Sequence, residues 1–249
     1  MTDAHDLEGV HNFRELGPYA LAGGGQIRSR MIFRSGALEL MTADDCAWLA
    51  RTAAIRTILD LRHPDELTAI EGNHDLWDRV APLSIFPQSQ SMDDLIAELN
   101  GLHGLGPSPA RYMHYLDVGG DRLARGFEMF ADEANYPFLV HCTAGKDRTG
   151  VILGLLMDVL GADHGDIAHE YGLSNASIPR LIAYLRASGR VLEGTEEEIY
   201  QRLATPAERM AGFLELMTAR HGSAENFFLG QGVSRETIAA VREVLVVGE

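Results

Sequence analysis

The sequence predicts an α/β protein, with strands sandwiched between helices and a helical elaboration towards the C-terminus. Three observations predict it. Short aliphatic and β-branched runs alternate with helical segments up to about residue 160. Helical periodicity dominates afterwards. The 249 residues, 46% of them hydrophobic, suffice to fill one substantial core, so a single domain spanning 1–249 is expected.

The elements follow in order. Gly23-Gly24-Gly25 marks a turn, and Met31-Ile32-Phe33 suits a short strand. Thr42 with Asp45 three residues on has the spacing of a capping box, so a helix opens there and runs through Cys46. Ile55 to Leu61 reads as a buried strand stopped by His63-Pro64, with a weaker strand over Val80 to Phe86. Gly, Pro and Ser from Pro87 to Pro109 predict a surface excursion or flap over 87–115 around one short helix, Met92 to Leu99. Gly126 to Glu133 reads as helix, Pro137 to His141 as strand, and Gly150 to Leu160 as a helix apolar on nearly all sides. Helical periodicity then covers Asp166 to Tyr184, Glu196 to Arg220 with a break at Pro206, and a closing helix after Val233-Ser234. The stretch 163–222 is a helical elaboration that either lids a pocket or thickens the core.

Composition excludes several classes. A net charge of −15 repels polyanions, so neither nucleic acid nor an anionic membrane is expected as partner. Two cysteines, Cys46 and Cys142, cannot build a disulfide framework and point to a reducing, cytoplasmic compartment. The opening residues lack a basic start followed by an apolar run, and Val151 to Leu160 is too short to span a bilayer. His164 and His169 lack the spacing of a metal pair, so no metal or other cofactor is expected. Oligomeric state has no sequence signal.

The chemistry lies in Cys142-Thr143-Ala144-Gly145-Lys146-Asp147-Arg148-Thr149-Gly150, between a strand and a buried helix. A loop turning from a strand into a helix N-terminus aims successive N–H groups at one spot, where the helix dipole adds positive potential. That makes a phosphate cradle. A cysteine in such a place, beside Arg148 and Lys146, is favoured as thiolate, the nucleophilic form. The planar fork of Arg148 suits two oxygens of a transferring phosphoryl group. Lys146 is the single lysine among 21 basic residues and falls inside this loop, which hints at a need for a compact ammonium.

His141-Cys142, five residues, then Arg148-Thr149-Gly150 resembles the signature loop of the protein tyrosine phosphatase superfamily. The fuller HCTAGKDRTG is similar to the bacterial tyrosine and atypical lipid phosphatases. Asn12 to Gly17, Ile27 to Ser35, Thr57 to Arg62, Glu225-Asn226-Phe227-Phe228 and Gly232-Val233-Ser234 resemble that family's flanking segments, so the likeness covers nearly the whole chain. Glu15 and Pro18 depart from its commoner Asp and Gly. The resemblance implies a mostly parallel central sheet flanked by helices and a phosphocysteine mechanism without metal. It implies roles too: Cys142 as nucleophile, Arg148 with Thr143, Ala144, Gly145 and Lys146 as phosphate-binding residues, and Thr149 bonded to the sulfur. His141 would brace the loop. The Trp-Pro-Asp loop of better-known relatives is absent, and the resemblance favours Asp147 as proton donor over Asp117 or Asp121. It implies phosphorylated protein or phosphoinositide as substrate, with Lys146 meeting an extra ring phosphate in the second case.

Blander readings stand beside these. Cys46 is expected to be core, with a reversible disulfide to Cys142 as the alternative. Asp60 and Arg62 suit either a place at the active site or a structural ion pair, with Glu66 as a further partner. Glu196-Glu197-Glu198 suits a helix start. A non-catalytic phosphate-recognition module and rhodanese-like sulfur transfer are the competing functions.

Overall fold

The computed structural model describes residues 7–67, 76–103 and 106–248. Residues 1–6 of the polar opening segment and residues 104–105 of the expected excursion lie outside that range. The strands are β1 (Arg14–Glu15), β2 (Gln26–Ile27), β3 (Ile32–Ser35), β4 (Thr57–Asp60), β5 (Val80–Pro82), β6 (Phe138–His141) and β7 (Val246–Val247). The first five helices are α1 (Ala43–Arg51), α2 (Met92–His103), α3 (Pro109–Glu128), α4 (Asp147–Leu160) and α5 (His164–Gly172). After them come α6 (Ile178–Ala187), α7 (Glu196–Leu203), α8 (Ala207–His221), α9 (Ala224–Gly230) and α10 (Arg235–Leu245).

The main sheet has the order β1-β3-β6-β4-β5. The four strands from β3 to β5 are parallel, and β1 is an antiparallel edge. Alternation along the strands divides the interior into two layers. Ile32, Leu59, Phe138 and Val140 face one layer, built with α3, α4, α5 and α8 to α10. Phe33, Ile58 and Leu139 face the other, where Cys46 and Leu49 of α1 meet them. β2 and β7 pair separately as a two-stranded ribbon.

Helix α4 is the central rod. Of its 14 residues all but Asp147 and Asp158 are buried, as its all-round apolar pattern predicts. The Thr42 and Asp45 capping box opens α1, and Thr195 with Glu198 opens α7 in the same way. The helix expected from Gly126 is instead the end of α3, which starts at Pro109 after the Ser108 cap and is 20 residues long. Pro109 reads in sequence as the end of the Gly-, Pro- and Ser-rich excursion. Here the proline is at the helix start, and a Cβ on Gly119 would lie 2.2 Å from the Ile85 carbonyl oxygen, so the glycine permits close packing. The stretch 87–115 therefore holds α2 and the first turns of α3.

A 3-10 turn at Leu173–Ser177 divides the helix expected over Asp166 to Tyr184 into α5 and α6. Met210, Phe213, Leu214 and Met217 of α8 are fully buried in the main layer, so α5 and α8 thicken the core. By contrast α6 and α7 close on a small satellite cluster of Ile178, Ile182 and Ile199. No described helix is long and apolar enough to cross a membrane.

Candidate active site

Parallel pairing sets Ser35, His141 and Asp60 side by side at the C-terminal ends of β3, β6 and β4. The chain leaves all three strands at one level, and that edge is where α/β sheets hold ligands. Cys142 is the next residue after β6 and is 2% exposed. Residues 142–146 then wrap into the first turn of α4, where Lys146 is the cap residue and makes no side-chain capping bond. The N-terminal amides of α4 are thereby left for something else.

The carbonyls of this loop are drawn to one side. His11 donates from Nε2 to the Thr143 carbonyl at 3.1 Å, and the Ala37 amide donates to the same oxygen at 3.1 Å. Burial pushes the His11 imidazole down to about 4, so it is neutral and its Nε2–H is a fixed donor. Asn12 Nδ2 donates to the carbonyls of Ala144 (3.1 Å) and Gly145 (2.8 Å). Arg34 Nη2 reaches Gly145 O at 2.6 Å. In a trans peptide the N–H points opposite the C=O. The amides of Ala144, Gly145 and Lys146 therefore turn to the other side, and they donate to nothing among the described residues.

Behind Asn12 and Arg34 stands a buried anion. Glu170 of α5 accepts from Arg34 Nη1 at 2.5 Å and from Arg14 Nε at 2.8 Å. Burial acts to raise the Glu170 carboxyl, but the two guanidinium charges outweigh it and hold it below the usual range. Arg14 also donates to Asn12 Oδ1 at 2.5 Å, which turns the Asn12 amide nitrogen towards the loop. Sequence reasoning missed these supports, though Asn12, Arg14 and Arg34 lie within the segments that carry the family likeness. Gly145 has φ +64, and a Cβ there would lie 2.1 Å from the Ser35 carbonyl oxygen.

Arg148 is gripped end-on by Glu66. Nη1 donates to Oε2 at 2.5 Å and Nη2 to Oε1 at 2.8 Å, while Thr143 Oγ1 donates to Oε1 at 2.5 Å. Desolvation opposes the Glu66 charge, yet Arg148 and these donors bring it down to about 2. The Phe86 ring lies 5.9 Å from the guanidinium carbon, a cation–π contact. Arg148 Nε has no acceptor among the described residues, so the side-on edge formed by Nε and Nη2 stays available. The expected ion pair of Arg62 with Asp60 forms (Nη2 to Oδ2, 2.7 Å), but the further partner of Arg62 is Glu39, because Glu66 is taken by Arg148.

Asp147, the first residue of α4, is partly exposed. Lys146 Nζ lies 2.8 Å from its Oδ2 and 3.1 Å from Oδ1, and the Tyr112 hydroxyl donates to Oδ1 at 2.5 Å. Burial works to raise this carboxyl, but the Lys146 ammonium and both hydrogen bonds hold it below the usual carboxylate range. Tyr112 had no mark in the sequence, since it belongs to the unrecognised part of α3. Lys146 itself is 4% exposed, so its ammonium is an inner part of the loop.

Other expectations fare differently. His141 is buried with Nε2 3.6 Å from Asp60 Oδ2, and burial together with Arg62 keeps its imidazole well below 6.5, hence neutral. The bond expected from Thr149 to the cysteine sulfur is not made: Thr149 is fully buried and its Oγ1 has no partner. It lies in the first turn of α4, and no group among the described residues reaches its hydroxyl. Asp117 and Asp121 are more than half exposed, in surface pairs with Arg220 and Arg122, on the outward face of α3. Cys46 and Cys142 are both free and lie in layers on opposite faces of the sheet. Among the described residues no group of three His, Cys, Asp or Glu could hold a metal, and His164 pairs with Asp158 at 2.7 Å.

Comparison with known proteins identifies the lineage. Residues 5–247 match the family model described as the tyrosine phosphatase family. The chain is 30% identical over 280 aligned positions to the triple specificity protein phosphatase PtpB of Mycobacterium tuberculosis, covering 97% of this chain and 98% of that protein. It is 34% identical over 179 residues to a Cupriavidus necator protein provisionally named a tyrosine-protein phosphatase, covering 69% of this chain and 63% of that one. Among solved structures, the core catalytic domain of the PP-IP phosphatase SIW14 of S. cerevisiae superposes with a TM-score of 0.40 at 16% identity, over 68% of this chain and 79% of that one. With a match that runs through both the strand edge and the helices behind it, the chain belongs to the tyrosine phosphatase family.

Proposed function

We propose that the protein is a cytoplasmic, single-domain, metal-independent phosphatase that hydrolyses phosphotyrosine and related phosphate monoesters through a phosphocysteine on Cys142. The observation that carries this reading is the loop whose carbonyls are held by His11, Asn12 and Arg34 while the amides of Ala144 to Lys146 have no protein acceptor. Fixed donors facing a site of developing charge are the largest catalytic contribution such a site can make. The side-on edge of Arg148 would hold two equatorial oxygens of the phosphoryl group, with Glu66 fixing the guanidinium plane.

In this reading Cys142 Sγ attacks phosphorus, the S–P bond forms, and the P–O bond to the leaving group breaks. Asp147 gives its proton to the leaving oxygen. Water then attacks phosphorus, the S–P bond breaks, Asp147 takes the water's proton, and phosphate departs. Asp147 rests ionised beside Lys146, so it must take up a proton from solvent as the substrate binds. An arriving phosphate dianion draws the Lys146 ammonium to itself and, as a nearby like charge, raises the affinity of Asp147 for a proton.

The test is hydrolysis of an aryl phosphate in the presence of chelator. It is expected to persist there, to be inhibited by vanadate and to vanish in Cys142→Ser. Activity retained by Cys142→Ser contradicts the reading.

One observation favours a second reading, a phosphoinositide phosphatase: the single lysine of the chain lies inside the loop. Lys146→Ala separates the two. Loss confined to polyphosphorylated inositides supports head-group recognition, and equal loss on aryl phosphate assigns the ammonium to the loop.

A further inference from the structure

A phenol carries one hydrogen, so hydroxyls strung between an anion and a cation can point only one way. Such a row ends on Asp147. Tyr112 donates to Oδ1 at 2.5 Å, its oxygen is 2.7 Å from the Tyr171 hydroxyl, and Arg209 Nη1 donates to that hydroxyl at 3.2 Å. Arg209 is anchored by a further bond to the Ala204 carbonyl. A guanidinium cannot accept, so Tyr171 must turn its hydrogen to Tyr112, and Tyr112 must turn its own to the carboxylate. A proton on Oδ1 would reverse the row and leave the Tyr171 hydrogen facing Arg209. Burial, with the Asp147 charge second, raises both phenols, so neither gives up its hydrogen at working pH. The members come from α3, α5 and α8, three helices packed into one layer.

We propose that Arg209, Tyr171 and Tyr112 are positioning residues whose one-way hydrogen-bond row fixes Oδ1 of Asp147 as an acceptor and confines its transferable proton to Oδ2. The proposal rests on the reading of Asp147 as proton donor. The other titratable groups around Asp147 are Lys146, whose ammonium rests 2.8 Å from Oδ2 and frees that oxygen for a proton only when the arriving phosphate draws it away, and Tyr115 of α3, while Arg148 is engaged by Glu66. These are unchanged in the variants below, so a shift reports on the row.

The experiment compares pH profiles of kcat/KM for aryl phosphates with good and poor leaving groups in wild type, Tyr112→Phe, Tyr171→Phe, Arg209→Gln and Asp147→Asn. Removing the Tyr112 hydroxyl takes away a charge-assisted hydrogen bond, so the basic limb should move up by about one pH unit and poor leaving groups should lose about tenfold. Tyr171→Phe and Arg209→Gln should move the limb in the same direction by less. In an Asp147→Asn background Tyr112→Phe should add no shift. Lower rates with the limb unmoved, while Asp147→Asn still steepens the leaving-group dependence, overturn the row and leave the acid standing. An unchanged leaving-group dependence in Asp147→Asn overturns the acid, and the row with it.

Discussion

Gly145 is where backbone geometry and chemistry meet at the scale of one residue. Its left-handed φ of +64 turns the loop so that its carbonyl meets Asn12 and Arg34, and the Ser35 carbonyl fills the space a side chain would need. A non-glycine residue in that conformation costs about 1–2 kcal/mol before the clash is counted. Relief of the clash must displace the loop, and a misplacement of about 1 Å at a reacting centre costs on the order of a hundredfold. Gly145→Ala should therefore lower kcat/KM on an aryl phosphate by at least about a hundredfold while the protein still folds, as read by circular dichroism and steady-state kinetics. A Gly145→Ala variant as active as wild type would show that the loop does not need this turn. The same residue scale explains why sequence reasoning reached Cys142, Lys146, Asp147 and Arg148: they are contiguous, and a strand, loop and helix are readable around them.

At the scale of elements, the 3-10 turn at Pro64–Glu66 after β4 is tied to the start of α4 by one carboxylate. Glu66 has a folded value of about 2 against an ordinary 4.5, so it contributes stability above about pH 4.5 that is lost as pH falls towards 2. A shift of this size corresponds to about 3 kcal/mol at most. Glu66→Gln should lower the urea-unfolding free energy at pH 7 by up to that amount. The gap to wild type should narrow as pH falls below 4.5 and close only towards pH 2, because protonated glutamate and glutamine present nearly the same group. A gap that stays constant with pH would place the contribution in packing instead of charge. The same substitution frees the end-on edge of Arg148 and should weaken phosphate binding, read as a rise in KM.

At the scale of the whole molecule, legibility follows distance along the chain. The alternation of strands and helices, the α1 capping box and the apolar rod α4 are local patterns, and β3 to β6 of the main sheet form where they predict strands, whereas the strand order and the short edge β1 had no local signal. What stayed hidden is non-local. Glu66 meets Arg148 across 82 positions, Asn12 meets Ala144 across 132, and Tyr112 meets Asp147 across 35. No window in the sequence contains both ends of such a pair. The start of α3 was hidden for a different reason, since Pro109 closes a Gly-, Pro- and Ser-rich stretch that suits a loop, although a proline fits the first turn of a helix equally well.

The central claim concerns Cys142 and is tested most directly by its product. Acid quench within milliseconds of mixing enzyme with an aryl phosphate, followed by peptide mass spectrometry, should find one phosphoryl group on the Cys142 peptide. The label should disappear on the timescale of turnover and be absent from Cys142→Ser. Steady turnover with an unmodified Cys142 at every quench time, or phosphate carried on a different side chain, would contradict the account.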